Sequence, residues 1–228
     1  ERNGYSTFMD FFRAALRDQK LYHTFINFLT INVSEFYRNP NQWEILKNVI
    51  IPELIEKKGS VDKIRIWSSA CSTGDEPYTI VMILSNFSPL SKIKILATDI
   101  DLDAIEKAKQ GIYAARSLKD LPEEYFNRYF ERVSDESYKI SDDIKKCVEF
   151  RRLNLLSDPY PKNMDLVVCR NVLIYFTEEA KSKIYVNFNR SLTDDGILFL
   201  GSTEQIIGAG KYGLKPIYTF FYRKIQNV

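Results

Sequence analysis

Hydrophobic and polar positions alternate along the chain with two different periods. Short apolar segments with strand-like alternation are separated by longer segments in which apolar residues recur every three or four positions. From residue 63 onward, strand and helix patterns follow one another in turn, which is typical of a doubly wound, mostly parallel α/β sheet. The predicted strands cover residues 63–70, 92–99, 148–155, 164–170, 196–201 and 218–224, and the predicted helices cover residues 76–87, 101–110 and 178–192.

Two regions depart from this alternation. Before residue 63 the pattern is helical, and we predict helices within residues 5–29 and 40–59. Residues 117–147 are charged, aromatic and rich in turns, which indicates a small inserted subdomain with short β-strands. Because the first residue is Glu1 rather than Met, we expect the N-terminal domain to be truncated. The predicted domains are an N-terminal helical domain at 1–31, a linker and helix at 32–62, and an α/β domain at 63–228.

The turn between the first predicted strand and helix reads WSSACSTGDEPYTI at residues 67–80. Its small side chains let a ligand approach the backbone, but it lacks the G-x-G-x-x-G spacing that cradles a pyrophosphate. Asp75 and Glu76 place negative charge where a phosphate would lie, and we expect one of them to cap the helix amides. The turn therefore favours a nucleoside with a cationic or zwitterionic tail and disfavours a dinucleotide reductase.

Polar residues gather where the predicted strands end, which is where ligands of such sheets bind. Asp99 ends the second strand about 20 residues beyond the first turn, a position suited to accepting hydrogen bonds from ribose hydroxyls. The alternative is that Asp99 caps the next helix, although Asp101 and Asp103 already suit that purpose and Asp103 has capping-box spacing to Glu106. Other polar residues at strand ends are Asn154, Arg170 and Asn171.

Composition and charge exclude several classes of protein. The chain has 228 residues, 45% of them hydrophobic, which is enough for a substantial core. A net charge of +2 disfavours nucleic-acid binding, and no apolar run approaches the roughly 20 residues that cross a bilayer, so we expect a cytoplasmic protein without membrane insertion. The single His23 disfavours triads and multi-histidine metal sites. We expect no metal site and read Cys71, Cys147 and Cys169 as core residues.

Six stretches of the sequence together resemble the chemotaxis receptor methyltransferases, the CheR-type family of glutamate O-methyltransferases. They are NVSEFYR at 32–38, WSSACSTGDEPY at 67–78, ATDID at 97–101, NLL at 154–156, CRNVLIYF at 169–176 and GSTEQ at 201–205. The resemblance implies an enzyme that transfers the methyl group of S-adenosylmethionine to glutamate side chains on the cytoplasmic domains of bacterial chemoreceptors. The products would be glutamate methyl esters and S-adenosylhomocysteine.

The resemblance also implies the site residues. Arg38 and Tyr175 would lie near the reacting methyl group, where Arg38 is suited to hold the substrate carboxylate with a two-pronged contact. Tyr175 would either donate its hydroxyl to that carboxylate or form a wall of the cofactor site, and the alternative is a core residue, as is common for aromatic side chains at strand ends. The residues implied to line the cofactor site are Asn32, Ser34, Arg38, Glu76, Asp99, Asn154, Leu155, Arg170 and Asn171.

Receptor docking is expected to involve the N-terminal helices and the inserted subdomain. Arg13, Arg17 and Lys20 have i, i+4, i+7 spacing and would share one helix face, although a solvated helix flank is the simpler interpretation of such charges. Two other functions stay open. One is a module that binds the cofactor and the receptor without turnover, and the other is a methyltransferase for a different substrate. The presence of both Arg38 and Tyr175 favours turnover.

Overall fold

The computed structural model describes residue 5, residues 7–18, residue 21 and residues 34–228. The chain divides into two compact units, Glu1–Val33 and Ser34–Val228. In the first unit, helix α1 (Phe8–Ala15) begins at Thr7, whose hydroxyl oxygen accepts a hydrogen bond from the Asp10 amide. Three residues singled out from the sequence, Lys20, His23 and Asn32, lie outside the described residues.

The helix face expected to carry Arg13, Arg17 and Lys20 is not formed by α1. The helix ends at Ala15, and the Arg17 amide donates to the Ala14 carbonyl oxygen at 3.0 Å in a tighter turn. A helix of eight residues makes few internal hydrogen bonds. Helical periodicity in the sequence is therefore not enough to extend the helix beyond Ala15 without tertiary packing. Arg13 and Arg17 are both exposed, but only Arg13 belongs to the helix.

The described part of the chain contains ten strands. They are β1 (Ile66–Ser68), β2 (Ile95–Asp99), β3 (Ile112–Ala114), β4 (Phe130–Arg132), β5 (Ser137–Ile140), β6 (Val148–Arg152), β7 (Met164–Cys169), β8 (Leu192–Leu200), β9 (Leu214–Tyr218) and β10 (Phe221–Lys224). Seven of them form one sheet in the order β6-β2-β1-β7-β8-β10-β9. The first five strands of this order are parallel and β10 is antiparallel to both neighbours, which confirms the mostly parallel sheet.

The helices of the second unit pack on both faces of this sheet. They are α2 (Pro40–Ile45), α3 (Ile51–Lys58), α4 (Asp75–Leu84), α5 (Leu102–Gln110), α6 (Glu123–Tyr129), α7 (Asp142–Lys145) and α8 (Glu178–Ser191). A π-helical turn, Leu46–Ile50, joins α2 to α3. Two separate clusters of buried side chains contain the core, and Cys71, Cys147 and Cys169 are buried as expected.

Two expectations about helix caps were wrong. Helix α5 is capped by Asp101, which accepts from the amides of Asp103 and Ala104, so Asp103 lies inside the helix and does not form a capping box. Glu106 instead accepts from Lys109 at 2.7 Å. At α4 the cap position is Gly74, with no side-chain cap, because the carboxylates of Asp75 and Glu76 accept hydrogen bonds from other side chains.

Strands β3, β5 and β4 form a small antiparallel sheet that follows α5. Its first strand, Ile112–Ala114, lies before the predicted start at residue 117. The ring of Phe36 contacts those of Tyr113 and Phe130 at 4.7 and 5.3 Å between centroids, and the Phe36 amide donates to Ser117 O at 2.9 Å. The insertion therefore supports the loop that precedes α2.

The last predicted strand, residues 218–224, corresponds to β10 (Phe221–Lys224), and β9 (Leu214–Tyr218), which pairs antiparallel with it, was not predicted. Strand β9 escaped prediction because Pro216 and Lys215 interrupt its apolar pattern. A proline is tolerated here since β9 lies at the edge of the sheet, where a missing amide breaks no ladder.

Candidate functional site

The order of the large sheet reverses between β1 and β7, and the loops that follow these two strands lie side by side. The Ser69 amide donates to Val168 O at 2.8 Å, and the Cys71 amide donates to Thr98 O at 2.9 Å. The ends of β1, β2 and β7 are thus joined by backbone hydrogen bonds at one edge. This reversal point is where ligands of open α/β sheets bind.

The turn after β1 is fixed closely against α5. Gly74 has a φ of 90°, and a Cβ atom there would lie 2.9 Å from both the Cβ of Ala108 and the Cε2 of Tyr78. Only glycine fits this position without displacing its neighbours. Ser72 also has a positive φ, 45°, and its amide points to the second strand, where it donates to Asp99.

Asp99 lies half-buried at the end of β2, and both of its carboxylate oxygens accept backbone hydrogen bonds. Oδ2 accepts from the Ser72 amide at 2.7 Å and Oδ1 from the Asp101 amide at 3.0 Å. Burial raises the pKa of this carboxyl, and the backbone hydrogen bonds oppose the rise. Each oxygen of a carboxylate can accept a second hydrogen bond, so the fixed carboxylate can receive ligand hydroxyls.

Two acids stand at the start of α4, behind the turn. The carboxylate of Asp75 accepts from the Thr73 hydroxyl at 2.5 Å. Burial raises the pKa of Asp75, and hydrogen bonds from Thr73 and Ser34 oppose the rise. Glu76 accepts from the Ser68 hydroxyl at 2.8 Å. Burial raises the pKa of Glu76 to about 7, opposed by the positive charge of Arg170. The carboxylates make this part of the site favourable to a cation.

Arg170, directly after β7, holds the loop that carries Arg38. Its Nη2 atom donates to the backbone oxygen of Arg38 at 2.8 Å and to the side-chain oxygens of Asn39 and Gln42 at 3.2 and 3.0 Å. The guanidinium lies 4.7 Å from the ring centroid of Trp43 and 4.9 Å from that of Phe199. Burial lowers the pKa of Arg170 to about 10, so the group stays charged at neutral pH.

The held loop has an unusual backbone. Tyr37 and Asn39 have φ values of 57° and 63°, and the Tyr37 amide donates to the Thr79 hydroxyl at 3.3 Å. Positive φ at non-glycine residues costs free energy and persists only where surrounding contacts compensate for it. The contacts from Arg170 and α4 do so, and they fix the half-buried Arg38 between these two residues beside the end of β7.

Asn154 and Leu155 follow β6 in a tight turn. The Asn154 side-chain oxygen accepts from the Leu156 amide at 2.9 Å, and the Leu155 carbonyl oxygen accepts from the Tyr160 hydroxyl at 2.7 Å. A cavity of about 600 Å³ lies beside this turn and α8, and Leu155 is the one predicted site residue in its lining. The predicted polar residues therefore gather at the strand ends and not in this cavity.

The segment after β7 carries Asn171 and Tyr175. Asn171 has a φ of 59°, and Tyr175 lies in a 3₁₀ turn (Leu173–Tyr175) with about half of its surface exposed. The backbone of this segment is held by Glu204, a buried residue that sequence reasoning did not select. Its place in the stretch GSTEQ was the available signal, since a glutamate three residues beyond a strand-ending glycine is well placed to turn back onto the strand ends.

Comparison with known proteins identifies the family of the chain. Residues 32–215 match the family model described as CheR methyltransferase, SAM binding domain. A chemotaxis protein methyltransferase of Listeria innocua is 42% identical over 220 residues, covering 96% of this chain and 83% of the relative. Chemotaxis protein methyltransferase 2 of Vibrio cholerae is 37% identical (89% and 71% covered), and the Borreliella burgdorferi chemotaxis protein methyltransferase is 36% identical (87% and 72% covered). This chain belongs to the CheR methyltransferase family, and its cofactor is S-adenosylmethionine.

Proposed function

We propose that this chain transfers the methyl group of S-adenosylmethionine to the side-chain carboxylates of glutamates on the cytoplasmic domains of bacterial chemoreceptors. The products are glutamate methyl esters and S-adenosylhomocysteine. The observation that carries the proposal is the hydrogen bond from Arg170 to the backbone oxygen of Arg38. This bond holds Arg38 close to the edge of the sheet where β1, β2 and β7 end. The names of the related chemotaxis methyltransferases support the choice of substrate.

In this proposal the cofactor lies across the ends of β1, β2, β6 and β7. Asp99 accepts from the ribose hydroxyls, since both of its oxygens are already oriented by backbone amides. Glu76 attracts the positive charge of the cofactor's methionine part. The remaining cofactor contacts come from Ser34, Arg38, Asn154, Leu155, Arg170 and Asn171, together with Asn32, which lies outside the described residues.

The reaction needs no general base, because a glutamate side chain with a pKa near 4.3 is ionised at neutral pH. Bound S-adenosylmethionine would supply the methyl group: a carboxylate oxygen of the substrate would bond to the methyl carbon, and the electron pair of the carbon–sulfur bond would go to sulfur. The negative carboxylate and the positive sulfonium thereby become a neutral ester and a neutral thioether. Charge is lost in the transition state, so the reaction is favoured when water is removed from the carboxylate and the sulfonium. The carboxylate must also be held in line with the methyl group, and we assign this positioning to Arg38 and Tyr175.

The proposed partner is the cytoplasmic domain of the receptor. It would bind to Arg13, Arg17 and Lys20 and to the inserted subdomain at 117–147. Two observations support a docking role: Arg13 and Arg17 are exposed, and the small sheet and its turn expose Ile112 and Val133. A cytoplasmic location is part of the proposal. Among the described residues no helix is long and apolar enough to span a bilayer.

The test is incubation with S-adenosylmethionine labelled in its methyl group and a receptor cytoplasmic domain, followed by mild alkali. Methyl esters release labelled methanol under base, whereas N-methyl groups and methylated nucleic acids do not. Arg38→Ala serves as the control, with a loss of more than tenfold in transfer in a folded protein because the substrate carboxylate loses its anchor. Label that survives alkali would favour a different substrate, and absence of label would favour a module without turnover.

A further inference from the structure

Glu204 joins the loops that follow β7 and β8. Its side chain is buried, and its Oε2 atom accepts hydrogen bonds from the backbone amides of Asn171 and Gly201 at 2.7 and 2.9 Å. The Oε1 atom accepts from the Leu173 amide at 2.6 Å. Three backbone donors therefore surround a single carboxylate, which is a strong arrangement because hydrogen bonds to a charged acceptor are short and stable.

The backbone around Glu204 is shaped to admit the carboxylate. A Cβ atom on Gly201 would lie 2.6 Å from Glu204 Oε2 and 2.8 Å from the Asn171 amide nitrogen. Asn171 adopts a left-handed conformation, which turns its amide toward Glu204. Both features cost conformational freedom or strain, and the hydrogen bonds to the carboxylate are what compensate for them.

The strands themselves do not need this contact. β7 and β8 are already paired in parallel up to Cys169 and Leu200, and all three amides bound by Glu204 lie beyond that pairing. What the carboxylate fixes is the conformation of the segment that carries Asn171 and Tyr175. Because the contact lies beyond the paired residues, it stabilises the loops at the site and not the pairing of the strands.

We propose that Glu204 is a positioning residue for methyl transfer, holding Asn171 and Tyr175 where the cofactor and the substrate carboxylate meet them. The role of Tyr175 toward the substrate carboxylate rests on the proposed function. The role of Asn171 toward the cofactor rests only on S-adenosylmethionine binding. Glu204 acts through the backbone and touches neither molecule. Its negative charge also contributes to the raised pKa of Glu76, which links it to the acidic side of the site.

Glu204→Gln tests the role with little change of shape. A glutamine side chain has one acceptor oxygen and one donor NH₂ group, so at least one backbone amide would face another donor. We expect the affinity for S-adenosylhomocysteine, measured by titration calorimetry, to fall about tenfold, since the loss of one hydrogen bond between Asn171 and the cofactor has an effect of about this size. Amide hydrogen exchange at Asn171 and Leu173 should speed up in the same variant, because the acceptor of these amides is impaired.

Glu53→Gln is the matched control. Glu53 accepts from Arg223 Nη2 at 2.6 Å with each oxygen, on α3 and away from the strand ends, so this change removes a carboxylate of structural importance only. It should lower the thermal midpoint and leave S-adenosylhomocysteine affinity unchanged. Glu204→Asp, which keeps the charge but shortens the reach, should weaken affinity as Glu204→Gln does.

Affinity for S-adenosylhomocysteine does not depend on the receptor, so this experiment remains decisive even where the wild-type chain methylates no glutamate. Parent-like affinity in folded Glu204→Gln and Glu204→Asp would overturn the positioning role and leave Glu204 as a structural residue. If Glu204→Gln does not fold, Glu204→Asp alone decides, with weakened affinity supporting the role and unchanged affinity contradicting it.

Discussion

Asp75, Glu76, Asp99 and Glu204 are acidic side chains near the carboxyl ends of the parallel strands, and each accepts hydrogen bonds from neighbouring groups. The positive charge of Arg170 acts on Glu76 and Glu204. Where these carboxylates are ionised they favour a positively charged ligand, which suits a cofactor with a sulfonium and an ammonium group.

The role of Asp99 predicts a loss of cofactor affinity in Asp99→Ala. Two hydrogen bonds to a charged group are worth about 1.5 to 3 kcal/mol each, so titration with S-adenosylhomocysteine should show at least a tenfold weaker complex. The control is Asp101→Ala, which removes the cap of α5 and should cost about 1 kcal/mol of stability without weakening the complex. Equal affinity in folded Asp99→Ala and the parent would rule out the ribose contact.

The raised pKa of Glu76 predicts a specific pH dependence of stability. Between pH 4.5 and about 7 the folded protein keeps a proton that the unfolded chain has released, so the contribution of Glu76 to stability falls as pH rises through this window. The loss is on the order of 1 to 3 kcal/mol. In urea unfolding, the free energy of unfolding of Glu76→Gln should therefore fall less between pH 5 and pH 8 than that of the parent.

Glu106→Gln is the control for this titration, because Glu106 is exposed on α5 and pairs with Lys109. Its unfolding curve should follow that of the parent at both pH values. A Glu76→Gln curve that also follows the parent would mean that Glu76 is ionised throughout the window.

At the level of elements, the alternation of strand and helix patterns was sufficient to predict the parallel sheet, and α5 was predicted within one residue with its stop at Gly111. These elements were predictable because their signals are local: apolar periodicity, a capping residue and a terminal glycine. The wrong cap at α4 has a cause outside the helix itself. Glu76 accepts from Ser68 on the preceding strand, a contact that no local rule anticipates.

The hydrogen bonds from Arg170 to the Arg38 loop predict that Arg170→Lys impairs catalysis. Lysine cannot reproduce the planar group that contacts the rings of both Trp43 and Phe199 while donating to Arg38, so the loop should lose its fixed conformation. We expect methyl transfer to fall by about tenfold or more in a folded protein. Transfer at the parental rate would show that the loop does not need this arginine.

Arg223→Lys provides the comparison, because Arg223 also donates from its Nη2 atom to more than one oxygen, in this case both carboxylate oxygens of Glu53. It should lower the thermal midpoint but leave methyl transfer at the parental rate. The pair of variants separates a general cost of replacing an arginine from the specific loss of the Arg38 loop.

At the level of the whole molecule, the site is assembled from residues far apart in sequence, and this limits what the sequence can reveal. Arg170 reaches Asn39 and Gln42, and Glu204 reaches Asn171, across long stretches of chain. The sequence indicated Arg170 through its motif but not that it binds the loop before α2. Residues that act through the backbone of another segment, such as Glu204, carry no local signature.

The proposed docking surface predicts a salt-dependent effect. Reversing Arg13, Arg17 and Lys20 to glutamate should slow receptor methylation at low ionic strength and leave S-adenosylhomocysteine affinity unchanged. Exposed pairs contribute about 0.2 to 1 kcal/mol each and are screened by salt, so the difference should shrink at high ionic strength. Initial rates at several receptor concentrations and two ionic strengths measure it.

The control reverses Lys92, Lys94 and Lys162, which are exposed in the second unit, with the same change of net charge. This variant should methylate the receptor at the parental rate. Equal slowing of both triple variants would point to overall charge, and parental rates in the first variant would favour the inserted subdomain as the docking surface.

The proposed activity of this chain is the esterification of receptor glutamates with the methyl group of S-adenosylmethionine. The most direct measurement is peptide mass spectrometry of a receptor cytoplasmic domain after incubation with the chain and the cofactor, before and after mild alkali. We expect methyl groups on glutamate side chains that disappear with alkali and are absent when Arg38→Ala replaces the parent. Methyl groups on any other kind of side chain, or a receptor left unmodified by the folded, cofactor-bound parent, would contradict it.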